Sequence, residues 1–205
     1  MLTGLAGLAI NASSMFPSMM TVSATNPVAR SFPDVFLYFW TYFTHLTNLG
    51  LILVYVSELS GWRWLGWFRQ PRTQALMAGF ITLVMVFYHF MLAPFYKLEG
   101  ALALGSYLLH YATPIAYLVW WTLFAAHGSL KFRDIPIMWV PGLVYVAWVL
   151  VRGLWAREYP YDILNPDKMG YGGVAIGVGI IFVAVTLFCA VLVWLDGILG
   201  RRRAA

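Results

Sequence analysis

The sequence predicts an all-α, polytopic integral membrane protein, and three observations carry that prediction. Hydrophobic residues make up 61% of the 205 residues and charged residues only 10%, whereas soluble domains are roughly half apolar and a quarter charged. Aromatic residues reach 18% with 10 tryptophans, which is typical of belts at the two membrane–water interfaces. Six hydrophobic segments each approach the ~20 residues that cross a bilayer. We therefore expect one transmembrane domain over residues 1–205, built as a six-helix bundle.

The six spans follow from hydrophobic windows along the chain. They cover about 2–22, 34–57, 73–93, 101–125, 136–152 and 171–198. The first is the least apolar, but it lacks the basic region that opens a signal peptide, so we expect it to be retained as a span. The single Cys189 lies in an apolar run, which excludes a disulfide framework and a cysteine-only metal site.

Lysine and arginine predict the orientation. One set of connections holds eight: Arg63, Arg69, Arg72, Lys131, Arg133, Arg201, Arg202 and Arg203. The other set holds five: Arg30, Lys97, Arg152, Arg157 and Lys168. The positive-inside rule places both termini in the cytoplasm. The net charge of +5 therefore reports orientation, and neither nucleic acid nor an obligate protein partner is expected.

Polar residues cluster inside the second span, where side chains of this kind are unfavourable unless they face a partner helix or a cavity. They are Thr41, Thr44, His45, Thr47 and Asn48. On a continuous helix Thr41, Thr44 and Asn48 share one face. His45 points about 100° away from its neighbour Thr44, so we expect it to pack or to support the site.

A second polar stripe runs along the span 101–125. It comprises Ser106, His110, Thr113 and Tyr117, and Pro114 within it removes one helical hydrogen bond. On the expected topology both polar helices run inward from the outer side. Thr44 and His110 then each lie ~15 Å deep at 1.5 Å per residue, so these two side chains can meet.

A hydroxyl beside an imidazole is the pairing used in nucleophilic acyl transfer. Histidine removes the hydroxyl proton as the oxygen attacks a carbonyl, and Asn48 could donate its amide to the developing oxyanion. No acidic residue lies at that depth, so the sequence favours a dyad of Thr44 and His110 with no metal and no cofactor. His89, near the outer end of its span, is expected to line the same cavity, whereas His127 falls in a loop and is expected to be solvated.

A different class of function stays open from these residues alone. His45, His89 and His110 lie on three helices and could make the chain a non-enzymatic membrane binder of haem or lipid.

The connection 153–170 is rich in turn-forming and aromatic residues. There, Arg152, Arg157, Tyr159 and Tyr161 could bind a carboxylate head group at the mouth of the site, or they could anchor the chain at the interface.

Five strings of the sequence resemble a known family. They are YFTHLTN, LLHYATPIAYLVWWTLF, GSLKFRD, WVPGLVYVAWVLVRG and YPYDILNPDKMGYGG, spread over roughly residues 34–200. They resemble the bacterial Pro-six-Pro membrane proteins, which belong with the eukaryotic androgen-induced and androgen-dependent proteins. Those are six-span hydrolases that cleave fatty acid esters of hydroxy fatty acids. The resemblance implies a lipid or fatty acyl ester as substrate and a bacterial inner-membrane location.

The resemblance also implies site residues. The family's threonine nucleophile follows an aromatic pair, which here is Tyr42-Phe43 ahead of Thr44, and its histidine precedes a proline, here His110 ahead of Pro114. Bacterial relatives usually continue Ile-Gln-Ser-Asn after the threonine. This chain instead has HLTN, so Thr41 and Thr47 stay open as alternative nucleophiles.

Overall fold

The regular elements of the computed structural model are helices. The structure describes residues 1–23, 26–95 and 97–204, with backbone alone for 202–204, so the side chains of Arg202 and Arg203 lie outside the description. The α-helices are α1 Leu2–Met20, α2 Phe32–Phe39, α3 Phe43–Ser60, α4 Pro71–Phe87, α5 Gly100–Tyr107, α6 Thr113–Phe124, α7 Ile135–Met138, α8 Val140–Ala156 and α9 Pro166–Ala204. Tighter 3-10 turns cover Arg63–Arg69, Phe132–Asp134 and Asp162–Leu164, and wider π turns cover Tyr88–Leu92 and Leu108–Ala112.

Four helical stretches are long and apolar enough to cross a membrane. They are Pro71–Leu92, Gly100–Phe124, Phe132–Ala156 and Pro166–Arg201. These stretches contain α4 to α9 and correspond to the last four predicted segments, which confirms an all-helical protein with candidate membrane-spanning helices. Helices α1 and α3 also lie where spans were predicted, but neither is among the four.

The predicted span 34–57 is not one helix, which corrects the face assigned to Thr41. Helix α2 ends at Phe39 and α3 begins at Phe43. The Thr41 hydroxyl donates to the Leu37 carbonyl at 2.7 Å, and His45 Nδ1 lies 2.7 Å from the Phe39 carbonyl. Side chains thus bond carbonyls that a continuous helix would pair with its own backbone. The break makes Thr44 a first-turn residue of α3, rather than one about ten residues into a span.

Tertiary contacts divide the chain into two compact units, and the first comprises Met1–Arg69 with Val84–Leu123. In this unit α1 packs against α5, α3 and the π turn Leu108–Ala112. Its buried core includes Leu8, Phe39, Ile52 and Leu109. A Cβ added at Gly7 would lie 2.7 Å from a Leu109 side-chain carbon, so glycine lets α1 approach the π turn closely.

The second unit comprises Gln70–Leu83 with Phe124–Ala205. Here the connection after α6 binds the last turns of α9. Asp196 Oδ1 lies 3.2 Å from His127 Nδ1, and Asp196 Oδ2 accepts the Leu130 N–H at 2.9 Å. The His127 side chain is 0% exposed, so the expectation that it is solvated was wrong. Its carboxylate partner lies 69 residues away in sequence, where no local pattern can reveal it.

Candidate active site

The structure brings Thr44 and His110 together in the first unit. Thr44 Oγ1 lies 3.3 Å from His110 Nε2, longer than the 2.7–2.8 Å typical of strong hydroxyl hydrogen bonds. Nucleophile–base contacts of this kind are often loose before substrate binds. The Thr44 residue is only 8% exposed. The hydroxyl of a nearly buried threonine and a histidine nitrogen thus meet.

The other nitrogen of His110 fixes which form of the ring is present. Nδ1 lies 2.8 Å from the Ser106 carbonyl oxygen. Because a carbonyl only accepts hydrogen bonds, Nδ1 carries the hydrogen and Nε2 of the neutral ring has a free lone pair. That lone pair is directed at Thr44 Oγ1. The neutral ring is therefore in the tautomer that a general base requires.

The imidazole of His110 also has an aromatic neighbour that sequence reasoning missed. The Tyr88 ring stacks on it with centroids 3.8 Å apart and planes 16° from parallel. Tyr88 and His110 each lie in a π turn, and single π turns within α-helices are frequent at functional sites. The only local signal was the aromatic run YHF around residue 89, because the stacking depends on how the wider turn aims Tyr88.

The π turn around His110 has a cause in the sequence and a partner on α3. The Thr113 N–H bonds the Leu108 carbonyl five residues back. The next bond in that register would run from residue 114 to the Leu109 carbonyl, but Pro114 has no N–H. The Asn48 amide supplies the missing donor, since its Nδ2 lies 3.3 Å from the Leu109 carbonyl and 2.8 Å from the Thr44 carbonyl.

This bonding corrects the role predicted for Asn48. Both of its amide hydrogens are directed at backbone carbonyls, so neither is directed at an oxyanion. Asn48 is fully buried, and its Oδ1 has no hydrogen-bond partner among the described residues. It joins the helix of Thr44 to the turn of His110.

We predict that Asn48→Ala lowers stability by about 1–3 kcal/mol, because the Leu109 carbonyl stays buried without a donor. Thermal unfolding in detergent measures the change. Asn11→Ala is the matched control, because the Asn11 side chain makes no hydrogen bond in the described part of the chain and should shift the midpoint less. Equal shifts for the two variants would contradict the joining role.

The helix break leaves a backbone donor beside the nucleophile. The first N–H groups of a helix have no acceptor within it, and the Thr44 N–H meets no carbonyl within residues 1–23, 26–95 and 97–204. The positive end of the α3 dipole lies at the same place. The nucleophile's own amide is one of the oxyanion donors in serine proteases. A donor for developing negative charge is therefore available without Asn48.

The other threonines of this stretch are placed differently. The Thr41 hydroxyl is bonded to the Leu37 carbonyl. Thr47 Oγ1 is buried and has no hydrogen-bond partner among the described residues. Among the three candidate nucleophiles, Thr44 is the one whose hydroxyl lies against a histidine nitrogen.

The histidines do not converge on a common cavity. His45 is buried, stacks on Phe39 with centroids 4.0 Å apart and bonds the carbonyl of the same residue. His89 is exposed, and its Nδ1 lies 3.1 Å from the Tyr111 hydroxyl. The described residues form no cluster of three His, Cys, Asp or Glu side chains that could hold a metal ion.

The predicted lining residues of span 101–125 separate into two groups. Ser106 contacts His110, with its Oγ 3.1 Å from Nδ1. Thr113 instead donates its hydroxyl to Thr3 of α1 at 3.0 Å. Tyr117 is fully buried and packs edge-on against Tyr55. Of this group, Ser106 is bonded to the dyad.

The four head-group candidates belong to the second unit, and Arg152 is already engaged. Its side chain is 6% exposed and bonds both the carboxylate, at 3.2 Å, and the carbonyl of Glu158. The Arg152 guanidinium is therefore largely buried and engaged by Glu158, and its role toward a substrate carboxylate stays a prediction. Arg157 is exposed, adopts a left-handed conformation at φ 52° and lies 3.7 Å from Asp167.

The two tyrosines of that connection are held by the surrounding chain. A Cβ added at Gly153 would collide with the Tyr159 ring, so glycine provides the space for that ring against α8. Burial, followed by the charge of Asp167, raises the pKa of the Tyr159 hydroxyl, which therefore stays protonated at neutral pH. Tyr161 is half-buried and its carbonyl accepts the Leu164 N–H.

No family model, curated protein or solved structure matches this chain. What defines the site is therefore its own geometry. That geometry is a threonine hydroxyl, a histidine nitrogen directed at it and a backbone amide with no carbonyl partner among the described residues, all within a helical protein.

Proposed function

We propose that this protein is an intramembrane hydrolase of lipid esters that uses Thr44 as nucleophile and His110 as base. The observation that carries the proposal is the contact of Thr44 Oγ1 with the lone-pair nitrogen of His110. The resemblance to the Pro-six-Pro and androgen-induced proteins points to the same two residues and adds the substrate class. That class is fatty acid esters of hydroxy fatty acids, or similar esters that enter from the bilayer.

The first half of the reaction forms an acyl-enzyme. Thr44 Oγ1 attacks the ester carbonyl carbon while its proton passes to His110 Nε2. The Thr44 N–H at the start of α3 stabilises the resulting oxyanion. The intermediate collapses, the carbon–oxygen bond to the alcohol breaks, and His110 returns the proton to the departing alkoxide. The products of this half are the free alcohol and an acyl ester on Thr44.

The second half returns the enzyme to its starting state. His110 Nε2 takes a proton from water, and the water oxygen attacks the acyl carbon. The bond to Thr44 breaks and the proton passes to Thr44 Oγ1, which releases a fatty acid. Each cycle consumes one water and one ester and yields one acid and one alcohol.

The membrane arrangement in the proposal is the six-span one. Beyond the four stretches that can cross a membrane, α1 and the α2–α3 pair occupy the positions of the two other predicted spans. The excess of lysine and arginine on one set of connections supports cytoplasmic termini. We place the protein in a bacterial inner membrane, as the resemblance implies.

The test is ester hydrolysis by the purified protein in detergent, with palmitate esters of hydroxystearate as the first substrates. We expect release of palmitate, and we expect a fluorophosphonate probe to label Thr44, as mapped by mass spectrometry. His110→Ala should lower both rates by about 10²–10⁴-fold, the usual contribution of a general base. Full hydrolysis in His110→Ala, or labelling at another residue, would contradict the dyad.

A further inference from the structure

The Ser106 side chain has no part in the two steps above. Its hydroxyl forms a series of hydrogen bonds with the Tyr88 hydroxyl and His110. Ser106 Oγ lies 3.1 Å from His110 Nδ1 and donates to the Tyr88 hydroxyl at 2.9 Å. Because Nδ1 carries the hydrogen, Ser106 Oγ accepts a share of it in addition to the Ser106 carbonyl. The order of donation is therefore Nδ1–H to Ser106 Oγ, and Ser106 O–H to Tyr88 Oη.

This series of hydrogen bonds occupies the place of the carboxylate in a Ser-His-Asp triad. In that triad the acid holds the tautomer and orientation of the imidazole and stabilises the imidazolium that forms. A carboxylate within a membrane span would be strongly unfavourable. Two hydroxyls and a carbonyl carry no formal charge. They can therefore position the imidazole without placing a charge inside the protein.

The Tyr88 side chain acts on the ring in two ways. Its hydroxyl ends the chain from Nδ1, and its ring covers one face of the imidazole at 3.8 Å. A ring held along one edge and over one face cannot turn its two nitrogens around without breaking both contacts. Ser106 is buried and lies one helical turn before His110, so the edge contact is made within the same helix.

We propose that Ser106 and Tyr88 are positioning residues that hold His110 with Nε2 toward Thr44, in place of a triad acid. This inference rests on the proposed function for its kinetic consequence. Its structural content does not require turnover: the Ser106 carbonyl sets the tautomer of the ring, and the Ser106 and Tyr88 side chains hold its orientation. The two parts can therefore be tested separately.

The kinetic test uses p-nitrophenyl octanoate as substrate. Ser106→Ala and Tyr88→Phe should each lower kcat by about 10-fold or more, as losses of supporting hydrogen bonds do at other sites, while KM stays unchanged. Ser106→Thr, which retains a hydroxyl, should restore most of kcat. Because the hydroxyls act in series, the double variant should be no slower than the slower single variant.

Two controls separate positioning from general loss of structure. Ser57→Ala removes an equally buried serine hydroxyl of the same unit, which donates to the Leu65 carbonyl. Tyr107→Phe removes an exposed phenol hydroxyl on the helix that carries Ser106. Both should leave kcat within about 2-fold. If Ser106→Ala and Tyr88→Phe behave like these controls, or if their effects multiply in the double variant, the proposal is overturned.

The second measurement is ¹⁵N NMR of histidine-labelled protein, which reads the tautomer directly. The chain has 4 histidines, and His110→Gln assigns the signal. We expect a single Nδ1–H form in the unaltered protein, held by the Ser106 carbonyl, and a mixture of tautomers in the double variant Ser106→Ala/Tyr88→Leu, whose imidazole is free to turn away from that carbonyl. A mixture in a double variant of a protein that hydrolyses no ester would leave the positioning role standing and remove the proposed function. An unchanged tautomer in the double variant would overturn the positioning role whatever the activity.

Discussion

Thr44→Val is expected to lower kcat/KM for ester hydrolysis by about 10³-fold or more, because it removes the attacking oxygen and keeps the shape of the side chain. Thr44→Ser keeps a hydroxyl on the same carbon and should keep activity within about 10-fold. Comparing the activities of these two variants separates the effect of losing the oxygen from any effect on packing. Fatty acid release and probe labelling both measure it.

The matched control for this prediction is Thr47→Val. Thr47 lies one turn further along α3, is equally buried, and its hydroxyl has no hydrogen-bond partner among the described residues. Replacing it with valine removes a buried unpaired oxygen, so activity should stay near that of the parent and stability should not fall. If Thr47→Val abolishes hydrolysis while Thr44→Val does not, the nucleophile is the other threonine.

Asp196→Ala is expected to destabilise the protein by about 1–3 kcal/mol or more, because it leaves two buried donors without their acceptor. The Asp196 carboxylate bonds both His127 Nδ1 and the Leu130 N–H, and its side chain is 1% exposed. Alanine removes the acceptor for both groups at once. The effect should appear as a lower Tm in detergent and as faster proteolysis between α6 and α7.

Asp167→Ala tests whether burial is the cause of that effect. Asp167 lies in the first turn of α9, ahead of a kink at Gly170, and its side chain is 55% exposed and 3.7 Å from Arg157. Exposed pairs of this kind contribute about 0–1 kcal/mol. A loss of stability for Asp167→Ala as large as that for Asp196→Ala would show that any charge removed from α9 has this effect.

The sequence predicted the helices well because hydrophobic length is a local property. Each of the six predicted segments contains helix, and the last four correspond to stretches that can cross a membrane. The break before Phe43 was missed because it depends on two side chains, Thr41 and His45, bonding carbonyls of the preceding helix. Hydrophobic windows contain no information on such bonds.

The sequence paired the two residues of the candidate site but did not predict the contacts around them. Depth matching paired Thr44 with His110, although Thr44 lies in the first turn of a helix and not within a continuous span. The bonding of Asn48 to the Leu109 carbonyl and of Arg152 to Glu158 was not predicted, because tertiary packing and loop conformation set those partners. Tyr88 was missed because a π turn decides where its ring points.

The pairing of Pro114 with Asn48 has a consequence for how related sequences should differ from this one. Proline removes a backbone donor opposite the Leu109 carbonyl, and asparagine on another helix supplies one. A chain with alanine in place of Pro114 would have its own N–H for that carbonyl, and the amide at position 48 would then be dispensable. The residues at the two positions, 66 apart in sequence, should therefore covary among related sequences. Pro114→Ala should restore the stability lost in Asn48→Ala.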